Sequence, residues 1–345
     1  MNANGNPGNP DKGPWVADFE EGMEFIGFYV ARNPRLDPFR DPARGKYLRL
    51  QLVDRTGAVE ARMWEEAEDS FGQINGGAPI KVAGMVECFR EERQVRISRL
   101  RAAREEEVDL TDMMRTTDRD VEHMKGVVRE AIEEIQDDYL SRLVLSFYGD
   151  SDWVSRFMEA PAARHVHHAY FAGFLEHVHE LILLSQPLLE LYAEIDRDLL
   201  LTGILLHDIG KLDELVWGFD TDYTDGGQLL GHIVLGERLV SRAIDEIEGF
   251  PERLGLEVLH LIVSHHGQHE WGSPRAPKSM EAIALHHLDN LDAQVNRFRQ
   301  LTEVARSKGE TWTSYDRMLR RSLYVGSGRN AENNAATLGV TEALP

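Results

Sequence analysis

The segment LLLTGILLHDIGK, residues 199–211, runs an apolar stretch of helical character into His207-Asp208 and then at once into Gly210 and Lys211. Burying that stretch carries an imidazole and a carboxylate to the edge of a core in directions the helix fixes, and such a pair suits a divalent cation. Gly210 lets the chain leave the helix and approach a ligand closely. Alone, the dipeptide is a polar pair closing a helix. Its companions change that. His177 lies in FAGFLEHVHELILLS, His232 follows Gly231 at the start of HIVLGERLV, and His265-His266 ends LEVLHLIVSHHGQ. Asp289 and Asp292 stand three apart in EAIALHHLDNLDAQV, on one helical face. Separate apolar helices thus each deliver a His or an Asp. So many buried ionisable groups become tolerable when a cation neutralises them. Their number suits two cations bridged by one carboxylate better than a single ion.

The remaining histidines sort by context. His286 shares the face of Asp289 and reads, with Asp292, as support behind the ligands. His168, in RHVHHAY, reads as a contact on the substrate side. His179, two residues from His177, points away from the ligand face, and His260 lies in the body of an apolar run and reads as packed. Of the 14 histidines, 13 fall between His165 and His287.

The elements that must position these groups occupy the second half of a 345-residue chain, long enough for two domains. Residues 1–14 are rich in Asn, Gly and Pro and read as disordered. Residues 15–105 carry short alternating runs, EFIGFYVARN, KYLRLQLVDRTGAVEARMW, IKVAGMVECF and RQVRISRL, with a short helix expected in WEEAEDSFGQI before the fourth strand. This is the pattern of a small β-barrel of the OB type, although periodicity alone also allows an SH3-like barrel or a sandwich. Residues 106–120 are polar and acidic and read as a linker. Residues 121–325 read as all-helical, with helical patterns over 121–148, 168–186, 188–207, 229–247, 254–264, 279–307 and 313–323. Residues 326–345 are small and polar and read as a flexible tail.

Charge follows the same division. The chain has 38 Lys+Arg against 59 Asp+Glu, a net charge of -21, which argues against a protein that coats nucleic acid. Residues 15–105 nevertheless hold 15 basic and 16 acidic side chains, whereas residues 161–330 hold 16 against 25. The lone cysteine, Cys88, excludes an intrachain disulfide and a cysteine-based zinc site, and it suggests a reducing compartment. No stretch reads as a signal peptide or reaches the length of a membrane span, so a cytoplasmic protein is expected.

The order His177, His207-Asp208, His232, His265-His266, Asp289 resembles the HD superfamily of metal-dependent phosphohydrolases. More narrowly, APAARHVHHAYFAGFLEH, LLLTGILLHDIGKLDEL, YTDGGQLLGHI, SHHGQHEWGSPRAPKSMEA and LHHLDNLDAQV are similar to the bacterial 3′–5′ exoribonucleases of the YhaM type, which join an OB-fold domain to an HD domain. The likeness runs over about residues 20–320. It implies a first metal on His177, His207, Asp208 and Asp289, with Asp208 bridging to a second held by His232, His265 and His266. It also implies contact of Lys211 with the scissile phosphate, and a homo-oligomer. One departure is Ala172-Gly173-Phe174, where the family more often has Gly-Gly-Leu.

Two divalent ions, Mn²⁺ foremost with Fe²⁺, Co²⁺ or Mg²⁺ as alternatives, would activate water and clamp phosphoryl oxygens for in-line hydrolysis. Asp208, Lys211 and His266 then carry catalysis, His266 protonating the leaving oxygen if it is not a ligand. The barrel would hold single-stranded RNA, or single-stranded DNA, through Tyr47, Arg49, Arg62 and Trp64. Two other functions fit parts of the pattern. One is an HD phosphohydrolase acting on small or cyclic nucleotides, although no GYP follows His265-His266. The other is a non-catalytic nucleic-acid-binding protein.

Overall fold

In the computed structural model, which describes residues 12–74, 76–89, 92–164, 168–218 and 221–326, the alternating runs close into a barrel. Most of the expected disordered N-terminus and flexible tail therefore lies outside the described residues. Strands β1 (Glu24–Pro38), β2 (Lys46–Asp54), β3 (Gly57–Met63), β4 (Pro79–Phe89) and β5 (Glu92–Ala102) follow the order β1-β2-β3-β5-β4, and β4 pairs back onto β1. Only β3 and β5 run parallel; the other pairs are antiparallel. A short helix, α1 (Ala67–Gly72), bridges β3 to β4. This is a five-stranded Greek-key barrel of the OB type.

The period of two explains the interior. On β2, Leu48, Leu50 and Leu52 point inward and are buried, while Tyr47, Arg49 and Gln51 face outward. With Ile80, Val82, Val95 and Ile97 they form the barrel core. The register of β1 against β2 shifts between Arg32 and Arg35, a bulge that bends this long strand around the barrel.

The segment expected as a linker is folded. Helix α2 (Leu110–Met113) puts Met113 against Phe28, Val30 and Val53, and the Arg55 amide donates to the Asp112 carbonyl. The chain then crosses to the helical part, where Thr117 N donates to the Phe171 carbonyl and Thr117 Oγ1 to Glu176 at 2.5 Å.

The helical part comprises α3 (Val121–Glu133), α4 (Asp138–Tyr148), α5 (Ser151–Glu159), α6 (Gly173–Leu191), α7 (Arg197–Leu206), α8 (Lys211–Glu214), α9 (Asp225–Glu246), α10 (Glu252–Ser264) and α11 (Met280–Ser307). The pattern over 121–148 is two helices rather than one, because Asp137 caps a new one by accepting from Tyr139 N and Leu140 N. Helix α7 is buried from Leu199 through Leu206, as befits the central element of an α-helical core. A two-residue strand pair, β6 (Leu215–Val216) with β7 (Asp222–Tyr223), is a small β addition to this otherwise helical region.

Three expectations fail locally. The pattern over 188–207 is not one helix, since α6 runs on to Leu191 and α7 starts at Arg197. Residues 168–172 are irregular, with positive φ at His168 (48°) and Ala172 (60°), so α6 begins only at Gly173. Residues 313–323 are not a helix. They fold back as an extended turn, with Trp312 bridged to Tyr324 and Asp316 to Arg321. Asp316 Oδ1 accepts from Met318 N and Leu319 N, and this local bonding outcompetes a helix.

Candidate metal centre and substrate cavity

Because α7 is buried from Leu199 to its end, the residues that follow it emerge in the middle of the helical core. His207 and Asp208 are buried there, at 0% and 2% exposure. Helices α6, α9, α10 and α11 bring His177, His232, His265-His266 and Asp289 to the same point. Two glycines make the approach possible. A Cβ on Gly210 would sit 2.0 Å from the His232 carbonyl oxygen, so only glycine lets the turn after Asp208 pack against α9. Gly231 takes φ 74° and kinks α9, turning His232 inward.

Asp208 divides the site. Its Oδ2 faces His207 Nε2 at 3.4 Å and His177 Nε2 at 3.8 Å. Its Oδ1 faces His232 Nε2 at 3.4 Å and His265 Nε2 at 3.5 Å. Asp289 Oδ1 joins the first set, 3.4 Å from His177 Nε2. His266 joins the second, its ligand nitrogen grouped with those of His232 and His265. Each oxygen of one carboxylate therefore addresses its own group of nitrogens.

The imidazoles are oriented from behind. Nδ1 of His207 donates to Ile204 O (3.0 Å), Nδ1 of His265 to Ile262 O (2.7 Å) and Nδ1 of His266 to Trp271 O (2.7 Å). A carbonyl can only accept, so Nδ1 carries a proton, and in the neutral ring Nε2 presents a lone pair. Carboxylates do the same for the other two: Glu214 for His232 (3.1 Å) and Asp292 for His177 (2.6 Å). This is the second layer that metal-binding histidines require.

These residues fit a pair of divalent ions. Asp208 Oδ1, His232 Nε2 and His265 Nε2 are buried without a hydrogen-bond partner among the described residues. The Nε2 atoms of His177 and His207 lie 3.3 Å apart, although each ring already uses its Nδ1 for a hydrogen bond. Burial disfavours a charged His207, but Asp208 and Asp289 beside it prevail and raise its pKa, so without metal a proton bridges the two nitrogens, and a divalent ion bound there would replace it. Burial pushes the His265 pKa down to about 3, so the ring is neutral at physiological pH and available to a metal. Burial opposes ionisation of Asp208, yet Lys211 and His207 beside it hold its carboxyl well below the usual range. Burial likewise disfavours charged Lys211, but its hydrogen bond and attraction to Asp208 prevail and raise its pKa.

The chain is similar to known proteins over most of its length. The HD domain family profile matches residues 174–294. The 3′–5′ exoribonuclease YhaM of Bacillus subtilis is 33% identical over 279 residues, covering 81% of this chain and 88% of the relative. Its namesakes in Bacillus licheniformis and Bacillus velezensis are 34% and 35% identical, over 74% and 72% of this chain and 81% and 79% of theirs. The chain belongs to the YhaM family.

Among solved structures, the chain is matched to the second OB-fold domain of replication protein A from Methanococcus maripaludis. That match has TM-score 0.23 and 16% identity, and covers 27% of this chain and 95% of that one. A replication protein A heterotrimer bound to single-stranded DNA also matches, with TM-score 0.20, 21% identity and coverage of 25% and 61%.

Beyond this cluster, one histidine of this YhaM-family chain departs from the expected contacts. His168 is not on the substrate side. It is fully buried, with Nε2 on Asp292 Oδ2 at 2.9 Å and Nδ1 on the Tyr170 hydroxyl at 2.9 Å. It therefore stands behind Asp292, which itself stands behind His177. His286 also braces, its Nδ1 donating to the His265 carbonyl at 2.8 Å. Arg49, half-exposed, pairs with Glu60 at 2.8 Å on the outer face of the barrel.

The barrel does gather an aromatic surface. Tyr47 and Trp64 lie 4.7 Å apart, and Phe39, unmarked in the sequence, completes the group at 5.3 and 5.7 Å. The guanidinium of Arg62 lies 5.9 Å from Trp64 and that of Arg44 4.4 Å from Phe39. Trp64 also edges a groove of about 640 Å³ with Phe25, Ile26, Arg96 and Ser98.

A second cavity, of about 510 Å³, opens directly onto Lys211, His266 and Asp289. Its other walls include Trp271, Asn290 and Arg297, none of which the sequence pattern singled out. Glu214 was missed as well. Its one cue is that it follows Lys211 by three residues, one helical turn on, whereas its partner His232 is 18 residues away.

Proposed function

We propose that the chain is a metal-dependent 3′–5′ exoribonuclease that shortens single-stranded RNA, and single-stranded DNA as a secondary substrate, to mononucleotides. The observation that carries this is Asp208, each of whose oxygens faces its own set of imidazole nitrogens in a YhaM-family chain. His177, His207, Asp208 and Asp289 would hold one ion, and Asp208, His232, His265 and His266 the other. The nitrogen-rich donor set favours Mn²⁺ over Mg²⁺. When bound, the ions supply an activated water and neutralise charge on the phosphoryl oxygens.

The protein's own groups do the rest. Lys211, fixed by its bond to Asp208, places an ammonium on the cavity wall for a phosphate oxygen. Asp292 and Glu214 keep the His177 and His232 rings turned to the centre. The aromatic group of Phe39, Tyr47 and Trp64 stacks bases without reading sequence, and Arg62 and Arg44 add charge beside it. The aromatic residues lie on the β2–β3 face and in the β1–β2 loop, the regions with which OB barrels bind oligonucleotides. No helix among the described residues is long and apolar enough to cross a membrane, and with Cys88 as its one cysteine we place the protein in the cytoplasm.

The test is a 5′-labelled single-stranded oligoribonucleotide incubated with the protein and Mn²⁺. Stepwise shortening from the 3′ end is expected. Rapid dephosphorylation of free nucleotides with no ladder would support the small-nucleotide reading instead.

A further inference from the structure

The cavity beside the metal centre is built from two unrelated pieces of chain. One wall is α11, whose residues 286, 289, 290, 293, 294 and 297 recur at spacings of three and four and so share a face. The other is the returning segment Thr311–Val325, which contributes Met318, Leu319 and Arg321. That segment lies beyond the HD match at residues 174–294.

It is firmly docked. Thr313 N donates to the Leu323 carbonyl, Val325 N to the Thr311 carbonyl and Arg321 N to the Asp316 carbonyl. Arg297 Nη2 on α11 donates to Asp316 Oδ2 at 2.6 Å and ties the turn to the helix. The turn RMLRR, residues 317–321, concentrates three arginines in a chain of net charge -21, and Asp316, the acid beside it, is already engaged by Arg297. Arg321 makes no ion pair among the described residues, and its Nε is held by the Leu319 carbonyl at 2.9 Å. It is a guanidinium fixed at the rim of a cavity that leads to the metal ligands.

We propose that this C-terminal turn is the wall that grips the 3′ end of the strand, an assignment that rests on the exonuclease reading above. Arg321 pairs with a backbone phosphate next to the scissile one. Met318, 62% exposed, and Trp271, 47% exposed, give apolar surface to the terminal nucleotide. The volume of about 510 Å³ is at the scale of a small-ligand pocket and suits one nucleotide rather than a duplex end. Asp316 is a positioning residue that acts through Arg297.

The experiment compares steady-state degradation of a 5′-labelled oligoribonucleotide by the wild-type full chain and by Arg321→Gln. A lost charge-assisted contact raises KM about tenfold or more, while kcat changes by less than about twofold. Arg321→Lys recovers most of the loss, and Asp316→Ala, which leaves Arg321 in place but unties the turn, raises KM in the same direction. A KM for Arg321→Gln within twofold of wild type would overturn the proposal. So would a fall in kcat that Arg321→Lys does not relieve, since that is the signature of a structural defect. A wild-type protein that makes no ladder at all would instead refute the exonuclease reading, independently of Arg321.

Discussion

Asp292→Ala isolates the bracing of the metal ligands from the ligands themselves. Asp292 is 3% exposed, and its Oδ2 accepts from His177 Nδ1 at 2.6 Å and from His168 Nε2 at 2.9 Å. Truncation leaves both imidazoles without that acceptor. Each buried donor left unpaired costs about 1–3 kcal/mol, so the metal-free protein should lose roughly 2–6 kcal/mol. The His177 ring also loses the bond that fixes its orientation, and outer partners of this kind are worth about 10–100-fold in metal affinity. At saturating metal, stabilisation by the ion therefore falls by a further 1.4–2.7 kcal/mol, roughly. Calorimetric titration of Mn²⁺ into the metal-free protein, with melting curves at fixed metal, reads both effects. A Kd within twofold of wild type, with an unchanged metal-dependent rise in Tm, would refute the claim that His177 is a ligand held by Asp292.

Three other outcomes follow from particular residues. Trp64→Ala removes a ring of the Phe39–Tyr47–Trp64 group and should weaken binding of single-stranded RNA by about 1–3 kcal/mol, measured by fluorescence anisotropy, with hydrolysis of a small phosphodiester unaffected. Ala172→Gly replaces a residue at φ 60° with one that tolerates it. Relief of about 1–2 kcal/mol less the entropy of a new glycine should leave the protein about 0.5 kcal/mol more stable by chemical denaturation. Burial would raise the Asp316 pKa, but the Leu319 and Met318 amides and Arg297 hold it below 3.8. Its folded value is thus below its unfolded one, so its contribution is complete above about 3.8 and is lost as the pH falls through the folded value. Hydrogen exchange in residues 311–325 should accelerate over that acid range before the rest of the helical core opens.

How much of this was legible in the sequence depends on which interactions are local. The apolar runs ahead of His207, His265 and Asp289 announce buried helices, and buried helices that end in His or Asp imply a shared site. The barrel is legible because Leu48, Leu50 and Leu52 alternate with polar residues. What the sequence hides is pairing across elements. Arg49 looked like a free cation until the β2–β3 register placed Glu60 beside it. His168 looked like a substrate contact because nothing local shows that Asp292, 124 residues away, captures its ring. The turn at Asp316 had helical spacing, and only side-chain bonding to Met318 N and Leu319 N decides otherwise.

The net charge of -21 takes on a different meaning in three dimensions. It argues against binding by a blanket of lysines, but basic groups are gathered locally: Arg44 and Arg62 by the aromatic surface, and Lys211 and Arg321 at the cavity. Divalent ions held by Asp208 and its neighbours would add positive charge that a count of residues omits.

Asp208, with His177, His207, His232, His265, His266 and Asp289, would hold the two divalent ions on which removal of nucleotides from a 3′ end depends. The most direct test is a 5′-labelled single-stranded RNA digested in Mn²⁺ by wild type and by Asp208→Asn, which keeps the side chain's size and loses its charge. Wild type should give a ladder shortening from the 3′ end, and Asp208→Asn, with its circular dichroism spectrum unchanged, should give none. A ladder of near-normal rate from Asp208→Asn, or from wild type stripped of metal, would contradict the account.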